Sequence, residues 1–237
     1  MRSAFTSRLR QALTVIGRRL SMTRVRQLQA ITNQVALGRW MSQQGYQFPR
    51  LTATREGVFD AILEHVREQR VLYLEFGVWR GESMRYWAKG LKDWRSQLHG
   101  FDSFEGLPVA GGTWDRQAFD LGAVAPSFDD DRVTLHPGWF EHTVGAFVEW
   151  AIPDDPRRRA DDVMVVNCDA DLFTSTATVL GAIGSRLRIG DYLYFDDMDQ
   201  LEHEPRAFEQ YRDAHGFRFA PIAASRTLMH VAFQRIA

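Results

Sequence analysis

Cysteine and lysine are nearly missing from this 237-residue chain. Its one cysteine, Cys168, excludes an internal disulfide and any cysteine-rich zinc site. Lys89 and Lys92 stand against 27 arginines, a bias that GC-rich coding explains without a functional cause. No unbroken apolar run approaches the roughly 18 residues that a membrane-crossing helix needs. No compact apolar segment ends in a small-residue cleavage pattern, so a secretory leader is not expected and the expected location is the cytoplasm. The formal net charge is -1, which argues against a nucleic-acid partner held mainly by charge. Internal repeats and low-complexity stretches are also lacking. What is present, 45% hydrophobic and 25% charged residues, matches a globular protein. The length suits one domain with a small appendage.

Acids are absent from residues 1–55, which hold ten arginines and carry +10, while the remainder carries -11. Leu9, Leu13, Ile16 and Leu20 recur at helical spacing among Arg8, Arg10, Arg18 and Arg19. Val25, Leu28, Ile31 and Val35 repeat the pattern in a second helix from about Thr23 to Met41. We divide the chain into a basic helical arm, 1–44, and a domain, 45–237. Three readings of the arm stay open: an organelle transit peptide, a helix lying on anionic lipid, or an extension packed on a partner subunit of the same kind.

From Thr54 the pattern alternates. A helix face (Phe59, Ile62, Leu63, Val66) precedes an apolar strand at Val71–Leu74, and a helix follows at Ser83–Leu91. Further strands are expected at Leu98–Phe101, Val133–His136, Asp162–Val166 and Asp191–Phe195. Helices are expected after Trp139, at Thr176–Leu187 and at Pro205–His215. Two late strands, Phe217–Ile222 and Thr227–Gln234, are joined by a link too short for a parallel crossover, so they form a hairpin. This order implies a doubly wound α/β sheet with an antiparallel last strand. Ligands sit at the carboxyl ends of such strands, where the sequence places Glu75, Asp102, His136, Asp169, Asp171, Asp196 and Asp197. Gly106–Asp131 and Pro153–Asp162 read as loops, with Arg157-Arg158-Arg159 as a solvated run.

Three blocks carry chemistry. Glu75-Phe76-Gly77-Val78-Trp79-Arg80-Gly81 is a strand end opening into a helix through a glycine turn. Its spacing is not that of the dinucleotide fingerprint, and an acid before the turn suits a cationic ligand better than a pyrophosphate. Phe101-Asp102-Ser103-Phe104 ends the next strand, where an acid can accept both hydroxyls of a ribose. Asn167-Cys168-Asp169-Ala170-Asp171 and Phe195-Asp196-Asp197 end two adjacent strands in paired acids. Converging carboxylates repel unless a cation joins them, and all-oxygen ligands select a hard ion such as Mg²⁺, Ca²⁺ or Mn²⁺. Asp191 and Ser175 are expected to do local capping work instead.

These blocks, with Pro137-Gly138-Trp139-Phe140, occur in an order that resembles the macrocin O-methyltransferases (TylF type), over about residues 45–235. The resemblance implies a class I S-adenosylmethionine enzyme on a Rossmann-like seven-stranded sheet. It implies that Glu75, Gly77, Trp79, Arg80 and Gly81 line the methionine and ribose part of the cofactor. It implies that Asp102 holds the ribose hydroxyls, with Ser103 and Phe104 near the adenosine and Trp139 and Phe140 close to the adenine. Asp171, Asp196 and Asp197 match the family's Mg²⁺ ligands. Two features depart from the family: the segment between Pro108 and Val133 is shorter, and Met198 follows the paired acids where an aromatic is expected.

The leading expectation is therefore methyl transfer to a hydroxyl of a sugar or glycosylated natural product, with Mg²⁺ beside the acceptor. Asp171 is the first candidate to assist deprotonation, and His136, His142 and His203 are alternative bases. A rival is a phosphatase of the haloacid-dehalogenase type, with Asp169-x-Asp171 after its strand. That type also needs a lysine between the two acid motifs, and both lysines lie upstream. A non-catalytic binding protein on a methyltransferase fold is the third reading.

Overall fold

The computed structural model describes residues 2–108, 115–152 and 162–237. The Arg157–Arg159 run and parts of both expected loops lie outside the described residues.

Two helices open the chain, α1 (Arg2–Gly17) and α2 (Met22–Gln44). Ser21 caps α2 by accepting the Arg24 N–H, and Gly45, in the left-handed region, ends it. There follow β1 (Leu51–Thr52), α3 (Arg55–Val66), β2 (Arg70–Phe76), α4 (Glu82–Gly90), β3 (Gln97–Asp102) and β4 (Val133–Pro137). The second half adds α5 (Phe140–Ala151), β5 (Asp162–Cys168), α6 (Phe173–Ile183), β6 (Tyr192–Phe195), α7 (Glu204–His215), β7 (Phe219–Ser225) and β8 (Val231–Arg235). The eight strands form one sheet in the order β1, β7, β8, β6, β5, β2, β3, β4. All pairings are parallel except those of β8 with β6 and β7. The expected seven strands and antiparallel last strand are there. The eighth is β1, two residues beside β7, too short to leave a periodic signal.

Strand residues alternate between two cores, as the two-residue side-chain period requires. Leu74, Phe76, Met164, Val166, Leu193 and Phe195 face α5, α6, α7 and the end of α2. Val71, Tyr73, Val165, Tyr192 and Tyr194 face α3 and α4. The arm is thus not wholly apart from the body. Leu37 and Trp40 of α2 are buried in the first core. The Trp40 indole and Gln44 amide both donate to Glu209 Oε1 of α7, at 2.6 and 2.7 Å. Leu9, Leu13, Ile16, Leu28, Ile31 and Val35, by contrast, are exposed. Among the described residues no helix is long and apolar enough to cross a membrane.

Candidate active site

β2 pairs with β3 on one side and β5 on the other, so the sheet's direction of winding reverses between β2 and β5. A cleft opens there, at the carboxyl ends of the strands, where doubly wound sheets bind ligands. One end is lined by Trp79, Asp102, Ser103, Leu107, Phe119, Trp139, Phe140 and Glu141. The other is lined by Arg55, Asp169, Asp171, Ser175, Asp196, Asp197 and Met229. The blocks singled out in the sequence therefore meet in a single cavity.

Asp102 is already at work in the absence of a ligand. Its Oδ2 accepts the Val78 and Trp79 N–H groups at 2.8 and 2.7 Å, and its Oδ1 accepts the Phe104 N–H at 2.7 Å. It pins the turn after β2 to the turn after β3; Oδ2 is filled by two donors, and Oδ1 keeps one lone pair for a further donor. Ser103 lines the cleft while its hydroxyl donates to the Gly106 carbonyl. Trp79, Phe119 and Asp171, all cleft-lining, have φ of 47, 68 and 57°. Such left-handed non-glycine residues carry a backbone cost that the surrounding structure must hold in place.

Several expected cofactor residues sit elsewhere than the sequence suggests. Gly77 lines the cleft, yet the space where its Cβ would be is filled by the Asp169 carbonyl, 1.8 Å from that position. Gly81 (φ 77°) makes room for the Phe128 ring, not for a ligand. Arg80 is exposed, with its guanidinium stacked 4.5 Å from the Trp79 ring centre. Phe104 and Glu75 are fully buried beneath the cleft and do not line it. Glu75 instead accepts hydrogen bonds from Ser83 Oγ (2.5 Å) and Tyr73 OH (2.6 Å), and Ser83 reaches the cleft in its place. Burial pushes the Glu75 carboxyl up to about 7 against the pull of those two hydroxyls.

At the other end the acids divide into two groups. Asp171 and Asp197 share a hydrogen bond; burial first, and for Asp197 the neighbouring Asp171 and Asp196 charges next, raise both above the usual carboxylate range. Burial and the surrounding carboxylates raise Asp169 as well. Asp196 runs the other way. Burial pushes it up, but His230 (Nδ1 to Oδ1, 3.0 Å), the Tyr194 hydroxyl (2.5 Å) and Arg55 hold it below its ordinary value. Arg55, the first residue of α3, also approaches Asp169 at 3.7 Å. Among the described residues no three His, Cys, Asp or Glu side chains are gathered around a common point as metal ligands are. The Asp171–Asp197 pair is an all-oxygen donor set that would fit a hard cation in place of its shared proton, whereas Asp196 is engaged by His230 and Tyr194.

None of the three candidate histidine bases lines the cleft. His136 faces His99 at 3.1 Å and stacks on Phe101. His142 is exposed on α5. The His203 ring accepts the Phe173 N–H and so caps α6, the task that had been expected of Ser175, which instead lines the cleft. Asp191 does the local work expected of it, accepting the Met164 and Arg188 N–H groups. Arg55, His230 and Glu204 escaped the sequence reading. Each lies in a segment with no motif, and only the sheet order brings them to the acids.

The model of one protein family, Macrocin-O-methyltransferase (TylF), matches residues 18–227. Among solved structures, the O-methyltransferase NovP superposes with a TM-score of 0.52 at 23% identity, covering 77% of this chain and 78% of its own. The calicheamicin methyltransferase CalS11 superposes with a TM-score of 0.55 at 19% identity, covering 76% of each chain. At these identities the two likenesses speak for the fold. No curated protein matches the chain.

Proposed function

As a member of the macrocin-O-methyltransferase family the chain is an S-adenosylmethionine-dependent O-methyltransferase, and we propose that it methylates a hydroxyl of a sugar or glycoside with help from Mg²⁺. The observation that carries this reading is the single cleft in which Asp102, Trp139 and Phe140 stand at one end and Asp171 and Asp197 at the other. S-adenosylmethionine, when bound, supplies an electrophilic methyl group. Asp102, through the remaining lone pair of Oδ1, and Ser103 would hold the ribose, and Trp139 and Phe140 would supply apolar walls for the adenine. Ser83, held by Glu75, stands where the methionine part would lie.

A bound Mg²⁺ would lower the pKa of the acceptor hydroxyl, and Asp171, Asp196 and Asp197 are its proposed ligands. The support is electrostatic: Asp171 and Asp197 are close to one another and pushed upward by burial and by neighbouring carboxylates, which a cation would relieve, and Asp196 lines the cleft beside them. Asp171 is the proposed base. Asp171 lines the cleft at its acid end, where a carboxylate oxygen could take the hydroxyl proton. In-line displacement asks mainly for positioning of hydroxyl, methyl and sulfur, which a walled cleft supplies. The phosphatase and non-catalytic readings find no support in the family match or in the fold.

For the arm we propose contact with an anionic membrane surface or with a second copy of the chain, and we keep the division at residues 1–44 and 45–237 and a cytoplasmic location as proposals. The decisive experiment is transfer of labelled methyl to a panel of sugars and glycosides, with and without EDTA. EDTA, Asp171→Asn and Asp197→Asn should each lower turnover by at least a hundredfold while S-adenosylhomocysteine affinity changes less than threefold. Full turnover in EDTA would remove the metal, and full turnover in Asp171→Asn would remove the base.

A further inference from the structure

Glu204 is a buried carboxylate that the chemistry above does not use. It is the first residue of α7, where an acid ordinarily caps its own helix. Its side chain turns away from that task. Oε2 accepts the Asp197 N–H at 2.9 Å, and Oε1 accepts the Ala170 N–H at 3.4 Å. Ala170 lies between Asp169 and Asp171 in the turn after β5, and Asp197 lies in the turn after β6. These two turns belong to different strands, and one fully buried side chain ties them together. Asp171 beside it is held at a φ of 57°, a conformation that a free turn would leave.

We propose that Glu204 is a positioning residue for methyl transfer, setting the distance between the Asp171 and Asp197 carboxyl groups by gripping the backbone of both turns. This rests on the function proposed above. A buried acid placed among Asp171, Asp196 and Asp197 adds to their repulsion, so charge balance gives no reason for it. The two amides give the reason. A bidentate acceptor satisfies both where any shorter or apolar side chain leaves at least one buried and unpaired. The cofactor end is built on β2, β3 and β4, whereas both amides that Glu204 holds lie in the turns after β5 and β6.

Glu204→Gln keeps the volume and one acceptor, and Glu204→Ala removes both. The expected order of kcat is wild type, then Gln, then Ala, with a loss of at least tenfold in Gln. The acceptor KM and the S-adenosylhomocysteine affinity should stay within threefold, and the Mg²⁺ concentration for half-maximal rate should rise. A general structural role would instead lower cofactor affinity in step with kcat, and that result overturns the proposal, as does unaltered kcat in both variants. Amide hydrogen exchange at Ala170 and Asp197 reads the brace without any turnover. It should accelerate at least tenfold in Glu204→Gln, and unchanged protection overturns the proposal even if the wild-type protein methylates nothing offered to it. A wild-type protein without methyl transfer but with accelerated exchange in the variant would mean that the brace stands and the assigned reaction fails.

Discussion

Asp102 holds three backbone amides and is proposed to hold the ribose, and these two roles can be separated by measurement. Asp102→Ala leaves three N–H groups without their acceptor, which should cost roughly 2–4 kcal/mol of stability. It should also weaken S-adenosylhomocysteine binding at least tenfold. Calorimetry showing lower stability with unaltered affinity would leave Asp102 as a staple between turns and nothing more. Glu75 gives a pH dependence with a definite sign. Its folded value of about 7 lies above its ordinary value of 4.5, so the folded state holds a proton that the unfolded chain has released. The stability it contributes is complete below about pH 4.5 and is lost as pH rises through about 7, by roughly 3 kcal/mol at most. Glu75→Gln, neutral throughout, should therefore show a smaller fall in melting temperature between pH 5 and pH 8 than wild type. An equal fall in both proteins would place the titration on other groups, such as the raised acids across the cleft.

At the scale of elements, the boundaries of β2, β3, β4 and β5 were legible to within two residues, because each is a short run rich in apolar residues followed by polar or turn-forming ones. The cluster of acids was legible for the same reason. The reason for the glycines was not legible: Gly77 lines the cleft, and the atoms that a Cβ would meet at Gly77 and Gly81 are the Asp169 carbonyl and the Phe128 ring, each many residues away in sequence. Glu75 misled, since a strand-end acid reads the same whether it meets a ligand or two buried hydroxyls. The arm was legible as helix, whereas the place at which it stops being an arm was not. α2 continues without a break into Leu37 and Trp40, which are core and lie on a different face from Leu28, Ile31 and Val35. Deleting residues 1–21 removes α1, whose side chains from Thr6 to Gly17 are all exposed, and should leave the melting temperature unaltered. The same deletion should change oligomer size or abolish co-sedimentation with anionic vesicles. Trp40→Ala should cost about 3–5 kcal/mol by opening a core cavity and removing one of the two donors to Glu209. A stable Trp40→Ala variant would mean that the end of α2 only rests on the body.

The molecule as a whole puts cofactor and acids on one rigid sheet, so ligand binding should be read out globally. S-adenosylhomocysteine at a hundred times its dissociation constant should stabilise the fold by about 2.7 kcal/mol, and NADH should not. The two-residue strand Leu51–Thr52 has a different kind of whole-molecule consequence. β7 would otherwise end the sheet and present a row of unpaired backbone groups, the template on which a second chain can add a strand. Arg50 O and Thr52 O instead take the Ala224 and Arg226 N–H groups, both at 2.9 Å. Leu51–Thr52 thus covers part of the β7 edge, and two residues are too few to form a long edge of their own. Replacing 50–52 with a glycine linker should leave the cleft intact and make the protein self-associate through β7. Light scattering that rises with concentration in that variant, and not in wild type, would show that solubility at this edge depends on three residues.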